Sequence, residues 1–219
     1  MKTAALIPAY QEERHVADVV RRTLGKADRV LVVDDGSRDG TAERAREAGA
    51  EVMSNRGNLG KGASLAVGLD ALFADGIDAV VCLDADGQHD PEEIPDFIAA
   101  AENADLVIGN RMADVKDMPF ARLLTNRVTS WILGRLAGVK VPDAQCGFRL
   151  IRSAAWRAAN VRTRNFEFEG ETIVNVGRKG FRIASVPVKT IYGDEVSKIN
   201  PWRDTIRFFR MIWRLWREG

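Results

Sequence analysis

Three polar motifs each follow a short apolar run without a spacer, and this placement limits the fold more than any other feature of the chain. PAYQEE follows residues 3–7, DDGS follows residues 29–33, and DADGQ follows residues 79–83. Between these runs the apolar residues fall at helical spacing: Val16, Val19, Val20 and Leu24 over residues 12–24, and Leu65, Leu69 and Leu72 over residues 61–73. Residues 41–48 read as a short helix, and residues 51–53 and 105–108 as further strands. Pro91, with Glu92 and Glu93 behind it, suits the first turn of a helix. Strands alternating with helices predict a parallel sheet with helices on both faces. Such sheets bind ligands beyond the carboxyl ends of their strands, so the three motifs are expected to converge on one edge.

The second half is less regular. Residues 122–136 and 169–179 read as helices, and residues 147–151 and 183–188 as strands. No repeat, linker or low-complexity tract divides the 219 residues, so residues 1–200 form one expected α/β domain and residues 201–219 a C-terminal helix. Lys and Arg total 32 against 31 Asp and Glu, which lacks the basic excess of a nucleic-acid binder. Cys82 and Cys146 stand apart from any CxxC pair and only two His are present, so the expectation is two reduced thiols and no thiolate zinc site. The N-terminal apolar stretch is too short for a signal peptide, and no uncharged run nears the roughly 18 residues of a membrane span. These features predict a cytoplasmic chain, peripheral on the cytoplasmic face of a membrane. Nothing in the residues fixes an oligomeric state.

Asp84 and Asp86 flank Ala85 at a strand end, where two carboxylates can place oxygens on one hard cation. Mg²⁺ or Mn²⁺ takes such ligands together with phosphates and waters, and Gln88 can add a neutral oxygen. The same pattern also serves as a capped turn leading into a helix. His89 reads as a turn residue. In Asp34-Asp35-Gly36-Ser37, capping and turn chemistry accounts for the nearby Asp39 and Thr41, which leaves Asp35 as the candidate to accept hydrogen bonds from a base or ribose. Asn58-Leu59-Gly60-Lys61-Gly62 opens a helix, where exposed N–H groups and Lys61 make an expected anion site. It is neither a phosphate-binding P-loop, since Asn55 stands at the required first glycine, nor a G-x-G-x-x-G loop, since Leu65 replaces the third.

Taken together, IPAYQEE, VVDDGSRDGT, NLGKG, LDADGQHDP, GNR and DAQCGFRL stand in this order over residues 3 to 200. The set resembles the inverting glycosyltransferases of A-type fold, in the branch of dolichol-phosphate mannose synthase and dolichol-phosphate glucosyltransferase. The resemblance implies a hexosyltransferase that moves a hexose from a nucleotide diphosphate sugar, UDP-glucose or GDP-mannose, to a polyprenyl or dolichyl phosphate. It implies donor contacts from Pro8, Ala9, Tyr10, Glu12, Asp35, Lys61, Asp84, Ala85 and Asp86. It also implies a Mg²⁺ or Mn²⁺ ion on Asp84, Asp86 and Gln88, and acceptor-phosphate contacts from Arg111, Arg149 and Lys198. Tyr192, Ser197 and Lys198 would lie on a closing segment. Glu169 and Glu171 are weaker candidates, because a helix N-terminus accounts for them. Membrane-embedded relatives carry C-terminal spanning helices that this sequence lacks.

The implied reaction is an in-line displacement with inversion, in which Asp86, Asp143 and Arg149 are the expected catalytic residues. A hydroxyl acceptor must lose a proton, so Asp143 would then be the base. A phosphate acceptor is largely dianionic at neutral pH and needs none, and Asp143 would instead orient an arginine such as Arg149. Transfer to a sugar hydroxyl, a sugar nucleotidyltransferase and a non-catalytic nucleotide-sugar sensor are the alternatives. A nucleotidyltransferase should show a glycine- and arginine-rich loop where this chain has Pro8-Ala9-Tyr10. In residues 201–217, Arg203, Arg207, Arg210, Arg214 and Arg217 fall within an arc of roughly 80°, with Trp202, Ile206, Phe209, Trp213 and Trp216 on another side. Phe208, Ile212 and Leu215 widen that apolar side. The pattern fits a helix lying on an anionic membrane surface or one packed on the domain.

Overall fold

The computed structural model describes residues 1–113, 115, 118–191 and 201–218, with side chains left undescribed at 201–204. Strands β1 (Thr3–Ala9), β2 (Arg29–Asp34), β3 (Glu51–Ser54), β4 (Ala79–Cys82), β5 (Leu106–Asn110), β6 (Arg149–Arg152) and β7 (Ile183–Pro187) form one sheet in the order β3-β2-β1-β4-β6-β5-β7. Six run parallel; β6 runs antiparallel between β4 and β5. The helices are α1 (Val16–Thr23), α2 (Thr41–Glu47), α3 (Lys61–Ala74), α4 (Ile94–Ala100), α5 (Phe120–Ala137), α6 (Ser153–Ala159), α7 (Phe168–Arg178) and α8 (Pro201–Glu218).

β1 and β4 are wholly buried, as expected of strands covered on both faces. The largest fully buried side chains include Leu6, Leu69, Phe97 and Phe148. Helix α1 begins at Val16 rather than at residue 12, because Gln11 takes φ 53° and residues 13–15 form a turn on the Glu12 carbonyl. Helix α6 was not anticipated.

The carboxyl ends of β1, β2, β4 and β5 meet at one edge. In register, Ala9 lies opposite Asp34, and Leu6 opposite Cys82. The antiparallel β6 starts there too, with Arg149 opposite both Cys82 and Ile108. Its direction brings the DAQCGF segment to the motif edge, which a parallel strand would have put at the far end.

Helix α8 belongs to the domain. Met211 and Leu215 are buried in the core, with Phe208 and Ile212 partly buried beside them. The broad apolar side expected from sequence is therefore split, because Ile206, Phe209, Trp213 and Trp216 stay exposed. Of the arginines, Arg214 is used within the fold, in an ion pair with buried Glu171 at 2.6 Å. Among the described residues, no helix is long and apolar enough to cross a membrane.

Candidate active site

The first two motifs are tied to each other. The N–H groups of Gln11 and Glu12 donate to the hydroxyls of Ser37 and Thr41, and the Gly40 N–H donates to Glu13. Pro8 and Ala9 are buried as the last residues of β1, while Tyr10 and Glu12 are half-buried at the edge. Gly36 takes φ 73°, and a Cβ there would lie 2.6 Å from the backbone of Gly57. Only glycine permits both that conformation and that approach.

Asp35 is buried and turned inward. Its Oδ1 accepts from the Asn55 side chain and the Leu59 N–H, and its Oδ2 from the Gly60 N–H, at 2.8–2.9 Å. The carboxylate expected to meet a base or ribose thus already holds the 55–60 loop in place. Two N–H groups of the expected anion site before α3, those of Leu59 and Gly60, are taken by Asp35 as well.

Lys61, at the start of α3, is paired as well. Its ammonium lies 2.7 Å from Asp84 Oδ1 and 2.9 Å from Glu169 Oε1. Burial alone would favour neutral lysine, but the two carboxylates outweigh it and raise the pKa above the ordinary value. Asp84 is likewise held below the usual carboxylate range, against burial, chiefly by Lys61. Glu169 was a weak candidate in sequence; FEFEGE was the signal, and the structure brings it to the site through Lys61.

Gly147 completes this corner. A Cβ on it would stand 2.8 Å from Asp84 Oδ2 and 3.0 Å from Lys61 Nζ. Next to Asp84, buried Ala85 leads to Asp86, whose Oδ1 accepts the Gln88 N–H at 3.0 Å. His89 is buried, stacks on Phe148, and accepts the Asp84 N–H at Nδ1. Burial pushes its pKa down to about 4, so it is neutral at pH 7. The Gln88 carbonyl accepts the Ile191 N–H, so the chain passes this corner before residue 192. Tyr192, Ser197 and Lys198 lie outside the described residues.

Asp84 and Asp86 fit a divalent cation of the Mg²⁺ or Mn²⁺ type. Asp84 already balances a positive charge at 2.7 Å. Among the described residues no three carboxylates, imidazoles or thiols converge to hold a metal alone. That donor set suits an ion completed by substrate phosphate and water. Cys82 and Cys146 are free, buried thiols, and burial pushes each up to about 12, so neither is a thiolate ligand at neutral pH.

Asp143 is fully buried and accepts five hydrogen bonds. Arg111 supplies its backbone N–H, Nε and Nη2, Asn126 its amide, and Gln145 its N–H. Asp143 therefore orients Arg111, not Arg149 as expected. Burial opposes ionisation, but the bonds from Arg111 win and hold the carboxyl below the usual range. Arg149 donates to the carbonyls of Cys146, Glu169 and Ala144 at 2.6–2.7 Å. Three of its five N–H groups thus pin the 144–146 turn and the start of α7.

The description "Glycosyl transferase family 2" matches residues 4–158. The chain belongs to glycosyl transferase family 2. Among relatives of this family, a UDP-N-acetylglucosamine–dolichyl-phosphate N-acetylglucosaminyltransferase of Methanococcus voltae is 30% identical, covering 85% of this chain and 84% of its own. A polyprenol monophosphomannose synthase of Mycolicibacterium smegmatis is also 30% identical, over 85% of this chain and 76% of its own. Solved glycosyltransferases share the fold. Mannosyl-3-phosphoglycerate synthase of Rubrobacter xylanophilus superposes with a TM-score of 0.72 at 19% identity, over 100% of this chain and 73% of its own. Glucosyl-3-phosphoglycerate synthase of Mycobacterium tuberculosis, in complex with Mg²⁺ and UDP, gives 0.69 at 20% identity, over 98% and 77%. The family 2 chain is thus a glycosyltransferase of A-type fold, and the nucleotidyltransferase and sensor alternatives fall away.

Proposed function

We propose that this glycosyltransferase moves a hexose from a nucleotide diphosphate sugar to a polyprenyl phosphate, with inversion and with a divalent cation. UDP-glucose and GDP-mannose are the leading donors. The carrying observation is Asp143. With five hydrogen bonds on a fully buried carboxylate, it has no oxygen to spare for an acceptor proton. A hydroxyl acceptor needs a base within hydrogen-bond reach. A phosphate monoester, with a second pKa of about 6, attacks through an oxygen already ionised. The names of the Methanococcus and Mycolicibacterium relatives, both acting on lipid phosphates, support the same acceptor class.

The residues divide the work. Tyr10, Glu12 and the β2 edge face the nucleoside, and Asp35 acts on it by holding the 55–60 loop. Asp84 and Asp86 would hold the cation, with Gln88 beside them. A bound Mg²⁺ or Mn²⁺ would offset the charge of the departing diphosphate. Gly147 leaves the space that the diphosphate end needs against Asp84 and Lys61. Lys61 contributes a positive charge whose position two carboxylates fix in advance. Asp143 sets the guanidinium of Arg111 at the end of β5, and Lys198 adds a further cation for the acceptor phosphate. The protein works peripherally on the cytoplasmic face, where Trp213, Trp216, Phe209 and Ile206 of α8 enter the interface.

Transfer assays with UDP-glucose and GDP-mannose, each against a polyprenyl phosphate and a simple sugar, test the reading. Labelled sugar on the lipid phosphate with Mn²⁺ is the expected product. Transfer to sugar hydroxyls but never to lipid phosphate would show the acceptor class to be wrong.

A further inference from the structure

Helix α5 carries a second exposed apolar stripe. Phe120, Leu124, Val128 and Trp131 recur at spacings of four, four and three, within an arc of roughly 80°. All are exposed, Phe120 at 77% and Trp131 at 68%. The opposite face holds Asn126, Ser130, Leu133 and Ala137 in the domain. Exposed apolar rows of this kind mark contact surfaces.

Charge indicates what the row meets. Helix α5 contains Arg122, Arg127 and Arg135 and no acidic residue. At its C-terminal half, α5 and the returning segment 138–142 border an open groove of about 520 Å³. Arg127, Arg135 and Lys140 line it together with Trp131 and Pro142, and no carboxylate does. None of the three cations pairs with a carboxylate among the described residues. Three exposed cations, without a carboxylate partner among the described residues, around an exposed tryptophan match an anionic lipid surface, whose headgroups take the cations and whose upper acyl region takes the ring.

Position supports this. Arg178 of α7 donates to the carbonyls of Leu136 and Leu215, so the C-terminal ends of α5 and α8 lie together on α7. A Cβ on Gly170 of α7 would touch Leu133 and Met211 at 3.2 Å, which places the two helices side by side farther along. The segment after α5 returns directly to Asp143.

We infer that the α5 stripe and its cationic groove form a docking surface for an anionic lipid bilayer, beside α8. This rests on the reading of a lipid-phosphate acceptor and adds the element that presents the site to the membrane.

The test is flotation of the full chain on phosphatidylcholine vesicles, with and without phosphatidylglycerol and with no acceptor present. Leu124→Ser/Trp131→Ser should lose on the order of tenfold or more in binding to anionic vesicles. Arg127→Gln/Arg135→Gln/Lys140→Gln should lose about a hundredfold on anionic vesicles at low salt and nothing on neutral ones. Both variants should melt like the parent and transfer normally to a short, water-soluble isoprenyl phosphate. Flotation undiminished in both variants, or no flotation of the parent, overturns the proposal. So does a parent dimer that Trp131→Ser splits while vesicle binding is kept, since the stripe would then face a second copy. A parent that floats through α5 yet glycosylates no lipid phosphate supports the surface and refutes the acceptor reading. Normal lipid-phosphate transfer with flotation indifferent to α5 does the reverse.

Discussion

Arg111 and Asp143 face each other in two side-chain hydrogen bonds of 2.7 and 2.9 Å, both partners buried. Asn126 of α5 donates to the same carboxylate at 2.6 Å, and Ser130 links Asn126 to the Ala144 N–H. A side chain that could have been a base is instead the node joining β5, α5 and the 143–146 segment.

Asp143→Asn removes the charge and leaves Arg111 buried without it. Breaking a buried pair costs about 3–5 kcal/mol, so the variant should unfold at markedly lower denaturant at pH 7. The pH dependence has a definite sign. The folded carboxyl titrates below its unfolded value, so its ionised form adds stability that is complete above about pH 3.9 and is lost as pH falls through the lower folded pKa. The gap between parent and variant should therefore narrow only below about pH 4. A gap constant down to pH 3 would mean that the carboxylate is not what Arg111 needs.

Asp84 and Asp86 should separate when stability is measured beside binding. Asp84→Asn leaves half-buried Lys61 with Glu169 alone and should cost about 1–3 kcal/mol. Asp86→Asn, half-buried in a turn, should cost less than about 1 kcal/mol. Both should abolish the Mn²⁺-dependent stabilisation that UDP or GDP is expected to give the parent in thermal melts, and with it transfer. Full activity in EDTA would remove the cation from the reaction.

Gly147→Ala tests the space beside that pair. The new methyl would meet two side-chain ends, Asp84 Oδ2 and Lys61 Nζ, rather than backbone. Both can shift, so the fold should survive with a loss of about 1 kcal/mol or less, while transfer falls at least tenfold. Normal donor affinity and rate in this variant would show that the corner is not used.

The sheet and the motif edge were legible because strand ends carry their polar residues in sequence: Asp34 follows Val33, and Asp84 follows Leu83. The direction of β6 was not, since Arg149–Arg152 shows the same residues whichever way it runs, and only pairing with Cys82 and Ile108 sets it. Asp35 read as a ligand contact because a strand-end carboxylate can accept hydrogen bonds, and Arg149 because the resemblance implies it. Most of their partners in the fold are backbone groups of other segments, the Ala144 and Cys146 carbonyls and the Leu59 and Gly60 N–H groups, which no side-chain pattern records. Helix α6 is seven residues held by Ala155, Trp156 and Ala159, too short for a periodicity to emerge.

Helix α8 gives the last prediction, because its two apolar stripes should answer differently to substitution. Met211 and Leu215 are buried against the domain, and Arg214 pairs with Glu171 below them. Met211→Ala or Leu215→Ala should cost about 2–5 kcal/mol, as for other buried large-to-small changes. Trp213→Ser/Trp216→Ser touches only exposed rings and should cost under about 1 kcal/mol, although Arg217 loses the Trp213 ring 4.7 Å from its guanidinium. On anionic vesicles the order reverses, with the tryptophan variant losing binding and the folded fraction of Met211→Ala retaining it. Deleting residues 201–219 would confuse the two effects, since it strips Met211 and Leu215 from the core along with the exposed rings. If the tryptophan variant both melts and floats like the parent, α8 is a packing element and nothing more.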